Sequence, residues 1–194
     1  MLKRITTTFI ILMLLTSVSF AQKWNFDVPH STISFSVKHL VISKTTGKFD
    51  DYSGFVMFDG KNFEKGKAEV TIQMSSINTD NSKRDDHLRS VDFFNVEKFP
   101  TMTFLSKKIS KTKGDKFKMT GDLTIKGVTK EVTLDCTFNG AAEFMGDTRA
   151  GFTAHTVINR QDFNIAWENK MKDGSLIVGN DVEINLEIEL VKEK

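Results

Sequence analysis

The segment Val182-Glu-Ile-Asn-Leu-Glu-Ile-Glu-Leu190 alternates without interruption between apolar and polar side chains. Successive side chains of a β-strand point to opposite faces, so this pattern predicts a strand with one buried and one solvated face. Similar alternation occurs outward along the chain, at residues 33–41, 68–74, 117–125, 128–138 and 150–158. Further strands are predicted at residues 24–29, 47–58 and 101–110, which makes the protein all-β.

Turn signals separate the predicted strands, at Asp59-Gly60, Lys113-Gly114-Asp115, Lys126-Gly127, Asn139-Gly140 and Asp173-Gly174. Short connections of this kind join antiparallel neighbours. About eight long strands favour closure into a barrel, because closure removes exposed sheet edges. We therefore expect a closed antiparallel β-barrel of about eight strands, with an interior that either is filled by side chains or holds one small elongated ligand.

The apolar face of these strands is expected to point inward. In the opposite arrangement, which is typical of outer-membrane barrels, Glu183, Glu187 and Glu189 would crowd a narrow lumen from a single strand. The chain also ends in Leu-Val-Lys-Glu-Lys, without a terminal aromatic residue. Both observations favour a barrel with an apolar interior.

The alternation stops in residues 84–104, where charged residues lie next to three phenylalanines, Phe93, Phe94 and Phe99. We expect an irregular segment with a short helix near residues 85–95, in which Asp86 is the N-cap and the helix begins near His87. Such an element can cover one end of a barrel. It is therefore the candidate mouth of an internal cavity.

Residues 1–21 have the pattern of a secretory signal peptide. Lys3 and Arg4 precede an apolar run at residues 9–15, and Ser19 and Ala21 supply small residues at the −3 and −1 positions of a cleavage site. The apolar run is too short to span a bilayer. We expect cleavage near Ala21, a single domain at residues 22–194, and a periplasmic or secreted location.

Net charge gives no general argument for binding nucleic acid or membrane surfaces. The chain has 27 basic and 25 acidic residues, and residues 1–21 contain Lys3 and Arg4 but no acid, so the mature chain is formally neutral.

Cys136 is the only cysteine, which excludes an intramolecular disulfide. It lies on the apolar face of its strand and is expected to be a buried, inert thiol.

The four histidines, His30, His39, His87 and His155, have none of the spacings that hold a metal ion. His39 is in register with Phe35 and Val37, so it is expected to point into the barrel. Two roles remain open for it, as a hydrogen-bonded core histidine or as a polar contact for the head group of a ligand.

Charged residues cluster at Arg84, Asp85, Asp86, His87 and Arg89, but no nucleophile motif, phosphate loop or paired-carboxylate pattern accompanies them. No catalytic residue is predicted. Arg84 and Arg89 either are solvated or attract an anionic head group at a barrel mouth. Arg160 is expected to pair with a carboxylate and to fix the crossing that follows its strand.

Four separate blocks of sequence, taken in their order along the chain, indicate a family. They are Asp27-Val-Pro-His-Ser31 continuing to Phe49, Asp86-His-Leu-Arg-Ser90 continuing to Phe104, Gly121-Asp-Leu-Thr-Ile-Lys-Gly-Val-Thr-Lys130 followed by Val132, and Asn159-Arg-Gln-Asp-Phe163. In this order they resemble the YceI-like family, which comprises lipocalin-like periplasmic proteins that bind polyisoprenoids. One departure is Asn164, where many relatives have glycine; asparagine tolerates a positive φ better than most residues.

The resemblance implies an extended eight-stranded antiparallel β-barrel that encloses a long apolar pore. The pore would hold an isoprenoid chain, such as a quinone tail or a polyprenyl phosphate, or another long-chain amphiphilic lipid. It implies no catalysis, no metal and no cofactor apart from the bound lipid, and nothing in the sequence indicates a nucleic-acid partner or a stable membrane span. A homodimer is left open. The expected ligand-binding residues are Phe35, Val37, His39, His87, Phe93, Phe94, Phe104, Phe152, Phe163 and Trp167.

Two other classes of function remain as alternatives. A hydrolase or isomerase that acts on a lipid would need His39 or His87 as a base, together with a partner that the sequence does not supply. A protein-interaction module would have a solid, packed core and no lipid.

Overall fold

The computed structural model describes residues 22–59 and 65–194. The strands are β1 (Gln22–Phe26), β2 (Thr32–His39), β3 (Ser43–Phe49), β4 (Tyr52–Phe58), β5 (Lys67–Gln73), β6 (Ile77–Asn78), β7 (Thr101–Lys113), β8 (Lys116–Ile125), β9 (Val128–Phe144), β10 (Asp147–Asn159) and β11 (Val178–Lys192). One α-helix, α1 (Ser82–Arg89), and three 3₁₀ turns, at Val28–His30, Met74–Ser76 and Arg160–Phe163, complete the described elements. The predicted signal peptide and Gly60 of the predicted Asp59-Gly60 turn lie outside the described residues.

The strands form a closed, antiparallel, eight-stranded barrel, as predicted. Three of its long strands are each interrupted once: β1 continues into β2, β3 into β4, and β5 into β6. Every long strand pairs with the next one along the chain. The first and the last long strands close the ring, with β11 paired to β2 over most of its length and to β1 at its end.

The β9–β10 turn corrects one sequence prediction. The Asn139-Gly140 pair was expected to be a turn, but β9 continues to Phe144, and the turn is made by Met145 and Gly146 at φ of +52° and +83°. Gly140 has φ +120° and pairs with Gly151, after which the register of β10 shifts so that Phe152 faces Phe138. The Asn-Gly signal therefore marks a β-bulge, which glycine also favours.

The helix begins earlier than predicted. Asn81 is the N-cap, and its side chain accepts the backbone N–H of Arg84 at 3.0 Å. Asp86, the expected cap, lies within the helix and pairs with Arg89 at 2.7 Å. Asparagine and aspartate are nearly equivalent as caps, so composition alone did not decide between the two positions.

Helix α1 and the crossing between β10 and β11 cover one end of the barrel, which we call the helix end. The β2–β3 and β8–β9 turns lie at the same end, whereas the β7–β8 and β9–β10 turns and the β1 terminus lie at the other, which we call the hairpin end. None of the helices in the described residues is long and apolar enough to cross a membrane.

Candidate binding cavity

Within the part of the chain that the structure describes, the barrel holds an elongated cavity of about 240 Å³ whose wall is apolar. The alternation in β11 explains this directly, since its inward positions line the cavity and its glutamates point outward; the inward residues are Val182, Ile184, Leu186, Ile188 and Leu190. Each of the eight long strands contributes to the wall in the same way. The period-two pattern of the sequence is therefore the origin of the cavity surface.

The cavity is long and narrow. Its wall on β11 extends from Val178 to Leu190, roughly 40 Å of strand at about 3.3 Å per residue. Because barrel strands are tilted by about 40° to the axis, this corresponds to roughly 30 Å along the barrel. Such a shape suits a chain-like molecule better than a compact one.

Leu88 of α1, together with Phe93 and Phe94 in the turns that follow it, forms the cavity wall at the helix end. Behind this wall, the rings of Phe93 and Trp167 lie 5.2 Å apart, and the His87 ring contacts both edge-on, at 5.0 Å from Phe93 and 5.7 Å from Trp167. His87 Nε2 lies 3.0 Å from a carboxylate oxygen of Asp92. His87 and Trp167 thus support the wall from outside and do not line the cavity.

Aromatic side chains also pack closely at the hairpin end. Trp24 stacks on Phe58 at 4.7 Å, and Phe58 meets Phe152 edge-on at 5.7 Å. Trp24, Phe58 and Leu190 are almost completely buried. This cluster fills one side of the barrel interior near the hairpin end.

The structure brings together six of the ten expected ligand-binding residues in the cavity wall: Phe35, Val37, Phe93, Phe94, Phe104 and Phe152. His39 lies at the end of β2, opposite Ser43, and is half-buried but not part of the wall. Phe163 is buried in the core next to the cavity, where Ile165 contributes to the wall instead.

Sequence reasoning missed many of the residues that line the cavity. Those on strands occupy the inward positions of the alternating segments, so the period-two pattern could have identified them: Ile33, Ile72, Met102, Met119, Leu123, Val132 and Leu134 are examples.

Arg160 is 4% exposed at the helix end of the cavity, and its partners differ from the expected carboxylate. Its Nη1 donates to the carbonyls of Ile165 and Trp167 at 2.6 and 2.8 Å, and its Nε donates to Gly179 O at 3.0 Å. Nη2 donates to Asn180 Oδ1 at 3.0 Å and to Val178 O at 3.5 Å. Burial lowers the pKa of the guanidinium. Its five N–H donors all bind groups of the β10–β11 crossing, so none is available to a ligand.

Arg84 and Arg89 also bind the protein itself. Arg84 donates from Nε to Thr79 Oγ1 and from Nη2 to Thr79 O, both at 2.7 Å, and Arg89 donates to Ser75 O at 3.2 Å as well as to Asp86. These contacts hold α1 against the chain that precedes it.

Cys136 lines the cavity and is buried, as predicted from its place on the apolar face. Burial raises the pKa of its thiol to about 12. The group is therefore neutral at physiological pH and is not a nucleophile, because only the thiolate reacts.

One cluster brings potential metal ligands together near the break between β1 and β2. Ligand atoms of Asp27, His30 and Glu189 lie within 4.8 Å of one another. The Nη1 of Arg149 donates to both carboxylates, so a guanidinium already occupies the place that a cation would take. This arrangement is an ion-pair network that joins β1, β10 and β11.

Comparisons with known proteins agree with this geometry. The model of the YceI-like domain family matches residues 24–190. The chain belongs to the YceI-like family. A UPF0312 protein of Staphylococcus aureus is 39% identical over 168 residues, which cover 86% of this chain and 95% of that protein.

Solved structures of YceI-like proteins have the same barrel. The YCEI protein of Campylobacter jejuni is 40% identical, with a TM-score of 0.71, over 81% of this chain and 90% of that one. BcnA of Burkholderia cenocepacia is 28% identical, with a TM-score of 0.73, over 84% of this chain and 98% of that one. A polyisoprenoid binding domain from Saccharophagus degradans shares the fold at 15% identity, with a TM-score of 0.66, over 88% of this chain and 98% of that one.

Proposed function

We propose that this YceI-like protein binds one long-chain isoprenoid, or a similar amphiphilic lipid, with the chain inside the barrel cavity. The observation that carries the proposal is the apolar cavity, which extends along most of the barrel. Burial of the lipid chain against this wall would supply the affinity, at about 25 cal/mol per Å² before the costs of association. The polyisoprenoid binding domain from Saccharophagus degradans has the same fold, which supports this class of ligand.

The chemistry of the wall supports binding over turnover. Among the described residues of the wall, the thiol of Cys136 is neutral at physiological pH and Arg160 is saturated by carbonyl groups. His87, one of the two bases considered for a hydrolase, lies outside the wall and pairs with Asp92. We therefore propose that the protein binds the lipid for transport, for storage or in a stress response.

We also propose that residues 1–21 direct export and are then removed, so that the protein meets its ligand in the periplasm or outside the cell. The support for this is the order of basic, apolar and small residues before Gln22. The mass of the protein recovered from the periplasmic fraction tests it. A chain that begins at Gln22 is expected, and a full-length chain in the cytoplasm would contradict export.

Native mass spectrometry of the exported protein, followed by lipid extraction, tests the binding function. We expect one long-chain adduct per protein, which is released by organic solvent and has the mass of a quinone, a polyprenyl phosphate or another amphiphilic lipid. A protein that is isolated empty, and stays empty after incubation with each of these lipids, would indicate a packed-core interaction module instead.

A further inference from the structure

The β2–β3 turn at the helix end presents large apolar side chains to solvent. Val41 is 63% exposed and Ile42 is 86% exposed, and they extend beyond the last paired residues of the hairpin, His39 and Ser43. Single exposed apolar residues are common on protein surfaces. Here two of them are adjacent, and they lie at the tip of a projecting hairpin.

The backbone of this turn is unfavourable for the residues that form it. Leu40 and Val41 have φ of +52° and +64°, and the Ile42 N–H closes the turn on His39 O at 3.3 Å. Turns with a positive φ at both central positions strongly favour Asn-Gly, and a β-branched residue such as valine is an outlier there. Folding alone would favour polar residues and glycine, so the presence of Leu-Val-Ile at this tip points to a role in binding.

Lysines surround this tip. Lys38 and Lys44 face each other across β2 and β3 on the outer side of the hairpin, and both are exposed. Like charges directly opposite each other destabilise a strand pair. Lys44 is compensated by Glu183 at 2.6 Å, whereas Lys38 forms no ion pair within the part of the chain that the structure describes.

A second lysine-bearing hairpin lies next to the turn. The Leu40 N–H donates to Ile177 O at 2.9 Å, which joins the turn to the hairpin of residues 169–177. Lys170 and Lys172 are exposed on that hairpin; Lys170 pairs with Glu168 at 2.8 Å. The helix end thus combines exposed apolar side chains with several flanking cations.

The β9–β10 turn at the hairpin end provides an internal comparison. Phe144 and Met145 are 56% and 88% exposed, so this turn is also apolar. Its flanking residues are Glu143 and Asp147, which are acidic. At this turn Arg149 lies 6.0 Å from the Phe144 ring and Lys194 pairs with Asp147 at 3.0 Å, so cations here are balanced by acids. At the β2–β3 turn Lys38 has no such partner among the described residues, and we expect an anionic surface to favour that turn.

We propose that residues 38–44 dock the protein on an anionic lipid bilayer, with Val41 and Ile42 among the acyl chains and the lysines at the phosphate groups. This combination of apolar insertion and cation–phosphate attraction is how peripheral elements bind membrane interfaces. Val37 and Val178 line the cavity just before the turn, so docking places the helix end of the cavity at the bilayer surface. The proposal rests on the proposed function, because a lipid must pass between bilayer and cavity.

Vesicle flotation with the mature protein tests the proposal. The vesicles are phosphatidylcholine alone, or phosphatidylcholine mixed with phosphatidylglycerol. Val41→Gly with Ile42→Ser removes the exposed side chains and relieves the turn, so the variant should fold at least as well as the parent. The matched control, Phe144→Ser with Met145→Gly, removes a similar pair from the opposite end.

We expect the parent and the control to float with the anionic vesicles, and the Val41/Ile42 variant to bind roughly tenfold more weakly or not at all. Lys38→Gln should weaken binding to anionic vesicles by about fivefold and leave the weak binding to neutral vesicles unchanged. The docking proposal is wrong if the parent does not float, or if the control loses as much binding as the Val41/Ile42 variant.

Native mass spectrometry of the same proteins separates this outcome from failure of the proposed function. The Val41/Ile42 variant should carry as much lipid as the parent, because neither residue lines the cavity. A parent that carries lipid but does not float refutes docking alone. A parent that floats but carries no lipid and takes none up refutes the proposed function and leaves the docking itself supported.

Discussion

The ring of Phe35 lies directly against the backbone of Gly47 on the neighbouring strand. The two residues face each other across β2 and β3, and a Cβ placed on Gly47 would be 2.5 Å from Phe35 Cζ. Phe104 and Gly121 are diagonal neighbours across β7 and β8, and a Cβ placed on Gly121 would be 2.6 Å from Phe104 Cζ. Both phenylalanines line the cavity, so each glycine makes room for a ring that would otherwise be displaced.

Gly47→Ala should therefore affect lipid binding as well as stability. The new methyl group would push aside the Phe35 ring and the methyl group of Thr79, which a Cβ would approach to 2.7 Å. We expect a loss of about 1–3 kcal/mol in the free energy of unfolding, measured in urea. We also expect lower lipid occupancy in native mass spectra, because the displaced ring moves toward the cavity.

Gly151→Ala is the matched control for this substitution. A Cβ at Gly151 would meet Asn139 at an ordinary contact distance of 3.5 Å, and no cavity-lining aromatic ring lies in its way. Equal loss of lipid in the two variants would contradict the proposed function of the Phe35–Gly47 pair.

Filling the cavity should exclude the lipid and leave the barrel closed. Ala154 of β10 lines the cavity, so Ala154→Phe adds a ring to the space that we assign to the lipid chain. Lipid occupancy should fall several-fold, whereas the thermal midpoint should change little in the empty protein if the cavity accepts the ring. Val157→Phe, at a position on the same strand that is 49% exposed, adds the same ring outside and should keep the lipid.

A packed interior would give the opposite result. In that case Ala154→Phe would overpack the core and lower the stability of a protein that never carried lipid. The two substitutions together therefore distinguish a binding cavity from a solid core.

Sequence alone predicted the barrel and much of its wall because the side-chain period of a strand is fixed. Phe35, Val37 and Phe152 were assigned inward from alternation, and Phe104 was an expected ligand-binding residue on a further predicted strand; the structure places all four in the wall. A shift of one residue would have reversed every assignment, and the glutamates on one face of β11 excluded that shift for this strand.

The same reasoning was less successful where the chain has no period. His87, Phe163 and Trp167 lie in or beside irregular segments, and their positions depend on packing between elements that are distant in sequence. The Asn139-Gly140 pair was misassigned for a related reason. An Asn-Gly pair is a local signal both for a turn and for a β-bulge. Which of the two forms depends on the partner strand, here on the register of Gly151 and Phe152.

Cys136 provides a chemical test of the closed interior. Because burial raises the pKa of its thiol to about 12, the thiolate is a minor species at both pH 7 and about 9, and alkylation of the native protein should be slow at both. Labelling by iodoacetamide, followed by intact mass, should instead be complete within minutes in strong denaturant. Fast labelling of the native protein at pH 7 would show that the thiol is accessible and ionised, contrary to the structure.

The Asp27–Arg149 ion pair should make stability depend on pH in the acidic range. Burial alone would raise the pKa of Asp27, but hydrogen bonds with His30 and Arg149 outweigh it, so that the pKa lies below its ordinary value. A carboxyl group with a lowered pKa in the folded state stabilises the protein above the pKa of the unfolded state, about 3.9. That contribution is lost as the pH falls through the lower, folded-state pKa.

Asp27→Asn tests this pH dependence. At pH 7 we expect a loss of about 1–3 kcal/mol in the free energy of unfolding, because Arg149 loses a charged partner. The difference in the free energy of unfolding between variant and parent should shrink as the pH is lowered below about 4. In that range Asp27 is protonated in the unfolded parent but stays ionised in the folded parent, which destabilises the folded state relative to the unfolded one. Asp135→Asn, which removes an exposed carboxylate paired with Lys118, is the control and should cost far less at pH 7. A difference between Asp27→Asn and the parent that stays constant from pH 7 to about 3 would mean that Asp27 acts through packing and not through its charge.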